Sequence, residues 1–183
     1  MIYFETERLI FRDWQESDIV PFRAMNNDPR VMAFFPNTLS DTETDAFVGR
    51  IKDEFKTYGY GLYAAEEKES GAFIGFIGFH WAAFPSAFTP CIEIGWRLKC
   101  DAWGKGYATE GAKACLKYGF ETLGFREVLS FTSKTNGRSE SVMNKIGMRK
   151  RAEFDHPNLD DNSDLKAHVL YEITQTDWLA RTV

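Results

Sequence analysis

The sequence predicts a mixed α/β fold of the α+β class. Amphipathic helical stretches and short apolar strands interleave along the chain, and successive strands in the first half are close enough to pair antiparallel. The chain has 183 residues, of which 44% are hydrophobic and 27% charged, and this suffices for one packed core. We therefore expect a single domain over residues 1–183, with a mostly antiparallel sheet of about seven strands flanked by about four helices.

The first elements follow from periodicity and capping residues. Residues 2–12 partly alternate apolar and polar side chains, which predicts a strand. Residues 13–28 predict a helix that ends before Pro29. A second helix over residues 41–57 is preceded by the capping sequence SDTE at 40–43, in which the serine hydroxyl and the glutamate carboxylate satisfy early N–H groups.

Strands dominate the middle of the chain. Residues 62–67 and 72–81 predict a hairpin, and residues 91–98 predict the next strand. Gly95 lies inside that strand, which indicates a bulge or a close backbone approach. The same periodicities predict the remaining elements: a helix over 107–122, a strand over 128–133, a helix over 138–146, and strands over 150–154 and 167–174.

Composition argues against several classes of function. The net charge of −5 is opposite in sign to that of a general nucleic-acid binder. No apolar run approaches the roughly 18 residues of a membrane span, and the charges that appear by residue 5 are unlike a signal peptide. The three cysteines form no CxxC pair, so we expect no metal site and a reducing environment. These features predict a cytoplasmic protein that binds neither nucleic acid nor a membrane.

The turn spelled WGKGYA at 103–108 carries the clearest chemical signal. Its two glycines let the main chain turn tightly before the helix, so free N–H groups and the positive end of the helix dipole meet there. This arrangement is typical of a phosphate or pyrophosphate site. The spacing matches neither a Walker loop nor a dinucleotide-binding fingerprint. A turn that uses glycine only for packing against its neighbours is the alternative.

Four sequence blocks occur in a fixed order. They are TERLIFR at 6–12, IEIGW at 92–96, WGKGYATE at 103–110, and NGRS at 136–139 followed by KIGM at 145–148. With these blocks the chain resembles the GNAT superfamily of acyl-CoA-dependent N-acetyltransferases over about residues 6–174. Within the superfamily it resembles the branch that acetylates protein N-termini, such as those of ribosomal proteins.

The resemblance implies a sheet geometry, a cofactor and a set of binding residues. The implied sheet is twisted and splayed between the strands at 91–98 and 128–133, and acetyl-CoA lies in that gap. The main chain of Trp96 and Leu98 would pair with the pantetheine arm, and Asn136 would hold a cofactor amide. Ser139 would lie near the sulfur of the cofactor. The implied pyrophosphate site consists of the main-chain N–H groups of Trp103, Gly104, Lys105, Gly106, Tyr107 and Ala108.

The resemblance also indicates the catalytic groups. Glu93 matches a glutamate of the family and faces away from its isoleucine neighbours, so it is the first candidate for general base. A purely structural carboxylate is the alternative for Glu93, and His80 is a second candidate base. Many members carry a tyrosine acid seven residues after the asparagine, but Met143 stands there. The resemblance gives the acid role to Ser139, and Ser141 close by is an alternative. An ordinary helix N-cap is the alternative for Ser139.

The implied reaction is direct attack of a primary amine on the acetyl thioester through a tetrahedral intermediate. The acceptor is either a protein N-terminal α-amine or a small-molecule amine, recognised by the loops at 28–40 and 82–90. The apolar loop at 82–90 could instead cover a second subunit, since the oligomeric state stays open between monomer and homodimer. A non-catalytic acyl-CoA-binding module of the same fold is the alternative function, and Met143 supports it.

Overall fold

One sheet of eight strands runs through the computed structural model, which describes residues 1–182. Its order is β1-β2-β3-β4-β5-β6-β8-β7, and every neighbouring pair except β5 and β6 is antiparallel. The predicted mixed α/β class is therefore confirmed. The strands are β1 (Ile2–Glu5), β2 (Leu9–Arg12), β3 (Leu62–Glu67), β4 (Ala72–Ala82), β5 (Cys91–Leu98), β6 (Glu127–Ser133), β7 (Arg149–Asp155) and β8 (Ala167–Thr174).

Five α-helices accompany the sheet within the described residues. None of these helices is long and apolar enough to cross a membrane. The capping sequence predicted for the second helix is confirmed, since the Glu43 N–H donates to Ser40 Oγ over 3.3 Å and the Ser40 N–H donates to Glu43 Oε2 over 2.8 Å. The helices are α1 (Ile19–Asn26), α2 (Asp41–Tyr58), α3 (Tyr107–Glu121), α4 (Gly137–Lys145) and α5 (Gln175–Thr182), with short 3-10 turns at Glu16–Asp18 and Cys100–Ala102.

The N-terminal segment forms two strands where the sequence predicts one. The chain reverses after β1, with the Thr6 N–H donating to the Leu9 carbonyl over 2.9 Å, and β2 pairs back on β1 with Glu5 opposite Ile10. The prediction of a single strand over 2–12 is wrong. The local alternation is the same in both cases, and only the sheet contacts that follow the turn distinguish them. This extra strand brings the sheet from about seven strands to eight.

Two strands in the middle of the sheet diverge. β5 and β6 run parallel and share one residue pair, Glu93 opposite Leu129. Just beyond that pair the Ser130 hydroxyl donates to the Ile94 carbonyl over 2.9 Å, so a side chain takes over from the main-chain ladder. The predicted splay between residues 91–98 and 128–133 is confirmed, and it leaves one edge of β5 open in the interior of the sheet.

Helices cover both faces of the sheet. α3 lies on one face and approaches β4 closely because it carries glycine where other residues would collide. A Cβ on Gly111 would lie 2.5 Å from Ile77, and a Cβ on Gly119 would lie 2.8 Å from Phe79. α1 and α2 cover the other face, where Phe22 of α1 is fully buried. The divergence of β5 and β6 therefore lies between two packed layers of helices.

The predicted bulge at Gly95 is wrong. The pairing of β4 with β5 runs without a shift from Gly75 opposite Leu98 to Ala82 opposite Cys91. The irregularity lies instead between β3 and β4, where Gly75 adopts φ +132° and a Cβ there would lie 2.1 Å from the Arg97 carbonyl oxygen. A Cβ at Gly95 would meet nothing within 4 Å, so this glycine leaves open space above the strand.

Candidate active site

The turn that leads into α3 presents unpaired main-chain N–H groups. Gly104 and Gly106 adopt φ +73° and φ +83°, a conformation that favours glycine. Within residues 1–182 no acceptor meets the N–H groups of residues 104–109, and the 15-residue helix α3 directs its positive end at them. A Cβ at Gly104 would meet nothing within 4 Å, so backbone conformation rather than close packing requires glycine there. These groups fit a diphosphate.

Residues from the TERLIFR block hold this turn in place. The Thr6 hydroxyl donates to Glu110 in the first turn of α3 over 2.6 Å, and Arg8 Nε donates to the same carboxylate over 2.7 Å. Arg8 Nη1 also donates to the Lys105 carbonyl over 2.9 Å. Burial acts to raise the pKa of Glu110, but the bonds from Thr6 and Arg8 outweigh it and lower that pKa. The carboxylate thus stays charged and fastens the start of α3 to the N-terminal hairpin.

The aromatic side chains of the turn point away from the free N–H groups. Tyr107 is 6% exposed, and its hydroxyl donates to Glu67 on β3. The Trp103 indole N–H donates to the Leu98 carbonyl over 2.8 Å, and the Arg138 guanidinium lies 4.7 Å from the Trp103 ring. The main chain is therefore what this turn offers to a ligand, together with the half-exposed ammonium of Lys105.

The open edge of β5 presents main-chain groups of Trp96 and Leu98. The Lys99 N–H donates to the Ile74 carbonyl on β4 over 2.9 Å. Because residues of an antiparallel strand alternate in the side to which their main-chain groups point, those of Trp96 and Leu98 face the gap beside β6. The Leu98 carbonyl accepts from Trp103, which leaves the Leu98 N–H and both main-chain groups of Trp96 for an extended ligand.

Asn136 and Ser139 lie together at the start of α4. Asn136 is the N-cap, because its Oδ1 accepts from the Ser139 N–H over 3.2 Å. Its amide donates to Thr132 Oγ1 over 3.0 Å and to Ser139 Oγ over 3.1 Å. The alternative of Ser139 as N-cap is wrong. The Ser139 hydroxyl accepts from Asn136, so its own proton is free to donate, whereas Met143 is 1% exposed in the core.

Glu93 and His80 face each other across β5 and β4, beside Glu54 of α2. His80 Nδ1 lies 2.5 Å from Glu54 Oε1, and His80 pairs with Glu93 in the strand register. Burial raises the pKa of Glu93 to about 7; Glu54 adds to the rise and His80 opposes it. Burial acts to lower the pKa of His80, but the hydrogen bond to Glu54 and the charge of Glu93 outweigh it, and the pKa is raised. Glu93 can therefore exchange a proton near neutral pH, beside a histidine whose protonated form is favoured.

A cavity of about 450 Å³ opens beside Glu93. The loop at 82–90 lines it through Ala83 and Phe84, and the Phe84 ring packs 5.4 Å from that of Phe131 on β6. His156 closes the far side, with its ring 4.6 Å from Phe84. The cavity and the open edge of β5 meet at Glu93, so a ligand in each would approach the other there.

Sequence reasoning missed Glu54. Its carboxylate reaches His80 because α2 crosses the sheet at this point, and the strand register then brings Glu93 alongside. Helical spacing from the core residue Ile51 puts Glu54 on the sheet-facing side, which is the one signal that the sequence contains. That spacing says nothing about which strand lies beneath the helix.

Comparison with known proteins identifies the family of the chain. The family model described as "Acetyltransferase (GNAT) domain" matches residues 8–149, which is well over half of the chain. The chain belongs to the GNAT acetyltransferase family. A relative, the Bacillus subtilis protein YkkB, is 33% identical over 144 residues, which cover 78% of this chain and 83% of that protein.

Solved structures share the fold. The GNAT-family acetyltransferase from Bacillus anthracis matches with a TM-score of 0.79 and 26% identity, covering 96% of this chain and 99% of that chain. Spermidine N-acetyltransferase from Vibrio cholerae, solved in complex with CoA and spermine, matches with a TM-score of 0.76 and 15% identity over 95% and 99% of the two chains. Ribosomal-protein-S5-alanine acetyltransferase from Vibrio fischeri matches with a TM-score of 0.75 and 19% identity over 96% and 97%. The last two show likeness of fold alone.

Proposed function

We propose that the protein is a single-domain, acetyl-CoA-dependent N-acetyltransferase that acts on a primary amine. The observation that carries the proposal is the run of unpaired N–H groups over residues 104–109, which lies beside the open edge of β5. Free donors at a helix start suit a diphosphate, and an open strand edge suits an amide-bearing arm. Coenzyme A contains both groups in one molecule, and family membership points to the same cofactor.

The cofactor supplies an activated acyl group when bound. The N–H groups of residues 104–109 would hold its diphosphate, with Lys105 at the rim. The Trp103 N–H, which the sequence predicts to join them, donates instead to the Cys100 carbonyl over 3.0 Å. The Trp96 carbonyl and the Leu98 N–H would pair with the amides of its arm, and Asn136 would fix the position of Ser139. These roles use main-chain groups that the fold leaves unpaired, so no rearrangement of the strand is required.

The polar side chains near the end of the open edge have complementary roles. Glu93, with a pKa of about 7, is poised to accept a proton from the acceptor amine at neutral pH. The Trp96 N–H points into the gap and would donate to the developing oxyanion. The Ser139 hydroxyl has a free proton for the leaving thiolate. His80 is less suited to act as base, because Glu54 favours its protonated form.

The acceptor is either a protein N-terminus or a small-molecule amine. The TERLIFR block supports the ribosomal-protein branch, but in this fold it anchors α3 through Glu110, a task independent of the acceptor. The rival function, a non-catalytic acyl-CoA-binding module, rests on Met143. The free proton of Ser139 favours an enzyme over that rival. The cysteines Cys91, Cys100 and Cys115 are unpaired thiols, which supports a cytoplasmic location.

A matched pair of glycine variants tests the cofactor site. Gly104 and Gly59 adopt φ +73° and φ +75°, and a Cβ at either would meet nothing within 4 Å. Gly104→Ala and Gly59→Ala should therefore lose similar stability, on the order of 1–2 kcal/mol. Calorimetry should show CoA binding at least about tenfold weaker in Gly104→Ala, because the methyl group enters the diphosphate site, and unchanged in Gly59→Ala. Equal affinities in both variants would remove the basis for the site.

A thiol-release assay separates the enzyme from the binding module. Acetyl-CoA is incubated with N-terminal peptides and with small amines, and free CoA thiol is followed. We expect release that depends on an amine. CoA binding without release under any amine would favour the non-catalytic module, and no binding would contradict both.

A further inference from the structure

Arg97 is a buried cation without a carboxylate beside it. The residue is 9% exposed, and its Nη1 donates to Asn26 Oδ1 over 2.8 Å. Its Nε is buried and has no hydrogen-bond partner among the described residues. Burial lowers the pKa of Arg97 to about 10, so the side chain is still charged at neutral pH. A buried charge that lacks a counter-ion is costly to the fold, and a bound anion would reduce that cost.

Three aromatic rings surround the Arg97 guanidinium. Its central carbon lies 4.2 Å from the ring of Phe35, 5.4 Å from Phe76 and 5.5 Å from Phe47. Phe35 belongs to the segment between α1 and α2 and is itself 41% exposed. Ring faces attract a cation, but they do not supply the hydrogen-bond acceptors that a guanidinium requires. One exposed ring thus separates the unpaired charge from solvent.

A second arginine adds to the positive charge. The guanidinium carbon of Arg50 on α2 lies 5.4 Å from the ring of Phe47, so this ring is shared by Arg50 and Arg97. Within residues 1–182 neither arginine forms an ion pair. The two carboxylates that line a surface pocket with Arg50 are already engaged: Asp53 with Lys56 at 3.0 Å and Glu54 with His80 at 2.5 Å.

Arg97 lies on the same face of β5 as Glu93. Residues 93, 95 and 97 alternate onto one side of the strand, and the middle one is Gly95, above which the space is open. At about 3.3 Å per residue, the Cα atoms of Glu93 and Arg97 lie about 13 Å apart. A carboxylate suited to an amine and a cation suited to an anion therefore lie on one face of β5, on either side of Gly95.

We propose that the acceptor amine also carries an anionic group, a carboxylate or a phosphate, and that Arg97 binds this group with Arg50 at the rim. The proposal rests on the proposed function and deepens it by giving the class of acceptor. A guanidinium binds either anion through paired hydrogen bonds, which would satisfy the unpartnered Nε. The same charges would repel polyamines, whose cationic groups would lie against Arg97.

Matched acceptors test the proposal. Acetyl transfer is measured for ω-amino acids of three to eight carbons against their carboxamides, for 3-aminopropylphosphonate against propylamine, and for spermidine. We expect kcat/KM to be at least about 30-fold higher for the anionic member of a pair, because a site built for a charged group rejects the analogue that lacks it. The carboxylate and phosphonate pairs show which anion is preferred. Equal rates within pairs, or spermidine as the best acceptor, would overturn the proposal.

Three variants assign the effect to residues. Arg97→Met should bring the anionic-to-neutral ratio close to one without changing the KM for acetyl-CoA. Arg50→Met, at an exposed position, should lower the ratio without disturbing the core, and so keeps the test valid if Arg97→Met does not fold. Arg126→Met is the control, since Arg126 is an exposed arginine that precedes β6. A change in the KM for acetyl-CoA alone would move the anion site to the cofactor and overturn the proposal.

Failure of the proposed function is distinguishable from failure of this inference. If no amine releases CoA thiol, the same ω-amino acids and 3-aminopropylphosphonate are titrated by calorimetry into the wild-type protein and Arg50→Met. Binding that weakens at least about tenfold in the variant supports the anion site without any turnover. The absence of binding to all of them overturns it.

Discussion

The raised pKa of Glu93 makes a prediction about stability that requires no knowledge of the acceptor. The carboxyl titrates at about 7 in the folded protein against 4.5 in its ordinary state. The folded state therefore holds a proton that the unfolded state releases, and stability falls as the pH rises through this window. Each pKa unit is worth about 1.4 kcal/mol, so the full cost at pH 8 is about 3 kcal/mol, of which about 2 kcal/mol has developed by pH 6.

The substitution Glu93→Gln removes this cost, because glutamine resembles the protonated side chain. The variant should match the wild type near pH 4 and exceed its stability by about 3 kcal/mol at pH 8. Urea unfolding followed by circular dichroism from pH 4 to pH 8 measures the difference. The pKa of His80 is raised in the fold, so His80 stabilises the fold fully below its ordinary pKa of 6.5 and loses this effect only as the pH rises above that value. The change in stability below pH 6 therefore reports Glu93 alone.

A second glutamate provides the control with the opposite sign. Hydrogen bonds from Lys134 and Lys150 lower the pKa of Glu153 to about 2, so its contribution is present above its ordinary value and is lost as the pH falls. Glu153→Gln should therefore bring no gain at pH 8. A constant difference between Glu93→Gln and the wild type across the range, or a less stable Glu93→Gln at pH 8, would contradict the raised pKa. It would also remove the reason to assign the base role to Glu93.

The remaining predictions concern the start of α4. Ser139→Ala should lower kcat by about 10- to 100-fold with little change in the KM for acetyl-CoA. Ser141 lies two residues further on and is exposed, so Ser141→Ala should leave kcat unchanged. Equal effects of the two substitutions on kcat would contradict the assignment of Ser139 as the acid. Asn136→Ala should lower the free energy of unfolding by about 1 kcal/mol through loss of the N-cap. Asn136→Asp should restore that stability but not kcat, because a carboxylate cannot donate to Ser139 Oγ; full recovery of kcat would show that Asn136 acts only as a cap.

The cofactor turn shows how a short motif and a distant segment combine. The glycines of the turn free the N–H groups, and this property depends on residues 103–108 alone. Their placement depends on Thr6 and Arg8, whose bonds to Glu110 span more than 100 residues of sequence. Glu110 stays ionised because those donors outweigh its burial. We infer that the TERLIFR block matters for the cofactor, because Arg8 also donates to the Lys105 carbonyl within the turn.

The sequence by itself determined the features that depend on near neighbours. These are the capping box of α2, the left-handed glycines of the turn, the small residues that let α3 approach the sheet, and the order of strands and helices from residue 41 onward. Each is governed by steric and hydrogen-bond constraints within a few residues, which a linear reading can evaluate. The resemblance to the family drew on the same short blocks.

Only the tertiary structure decided which distant groups meet. Alternation could not show that the first strand breaks in two, because both arrangements share one pattern. The approach of Glu54 to His80 and Glu93 depends on where α2 crosses the sheet, and this crossing also raises the pKa of Glu93. Whether Arg97 has a counter-ion is likewise a property of everything around it. Burial and electrostatic environment are sums over neighbours in space, and chain order does not specify those neighbours.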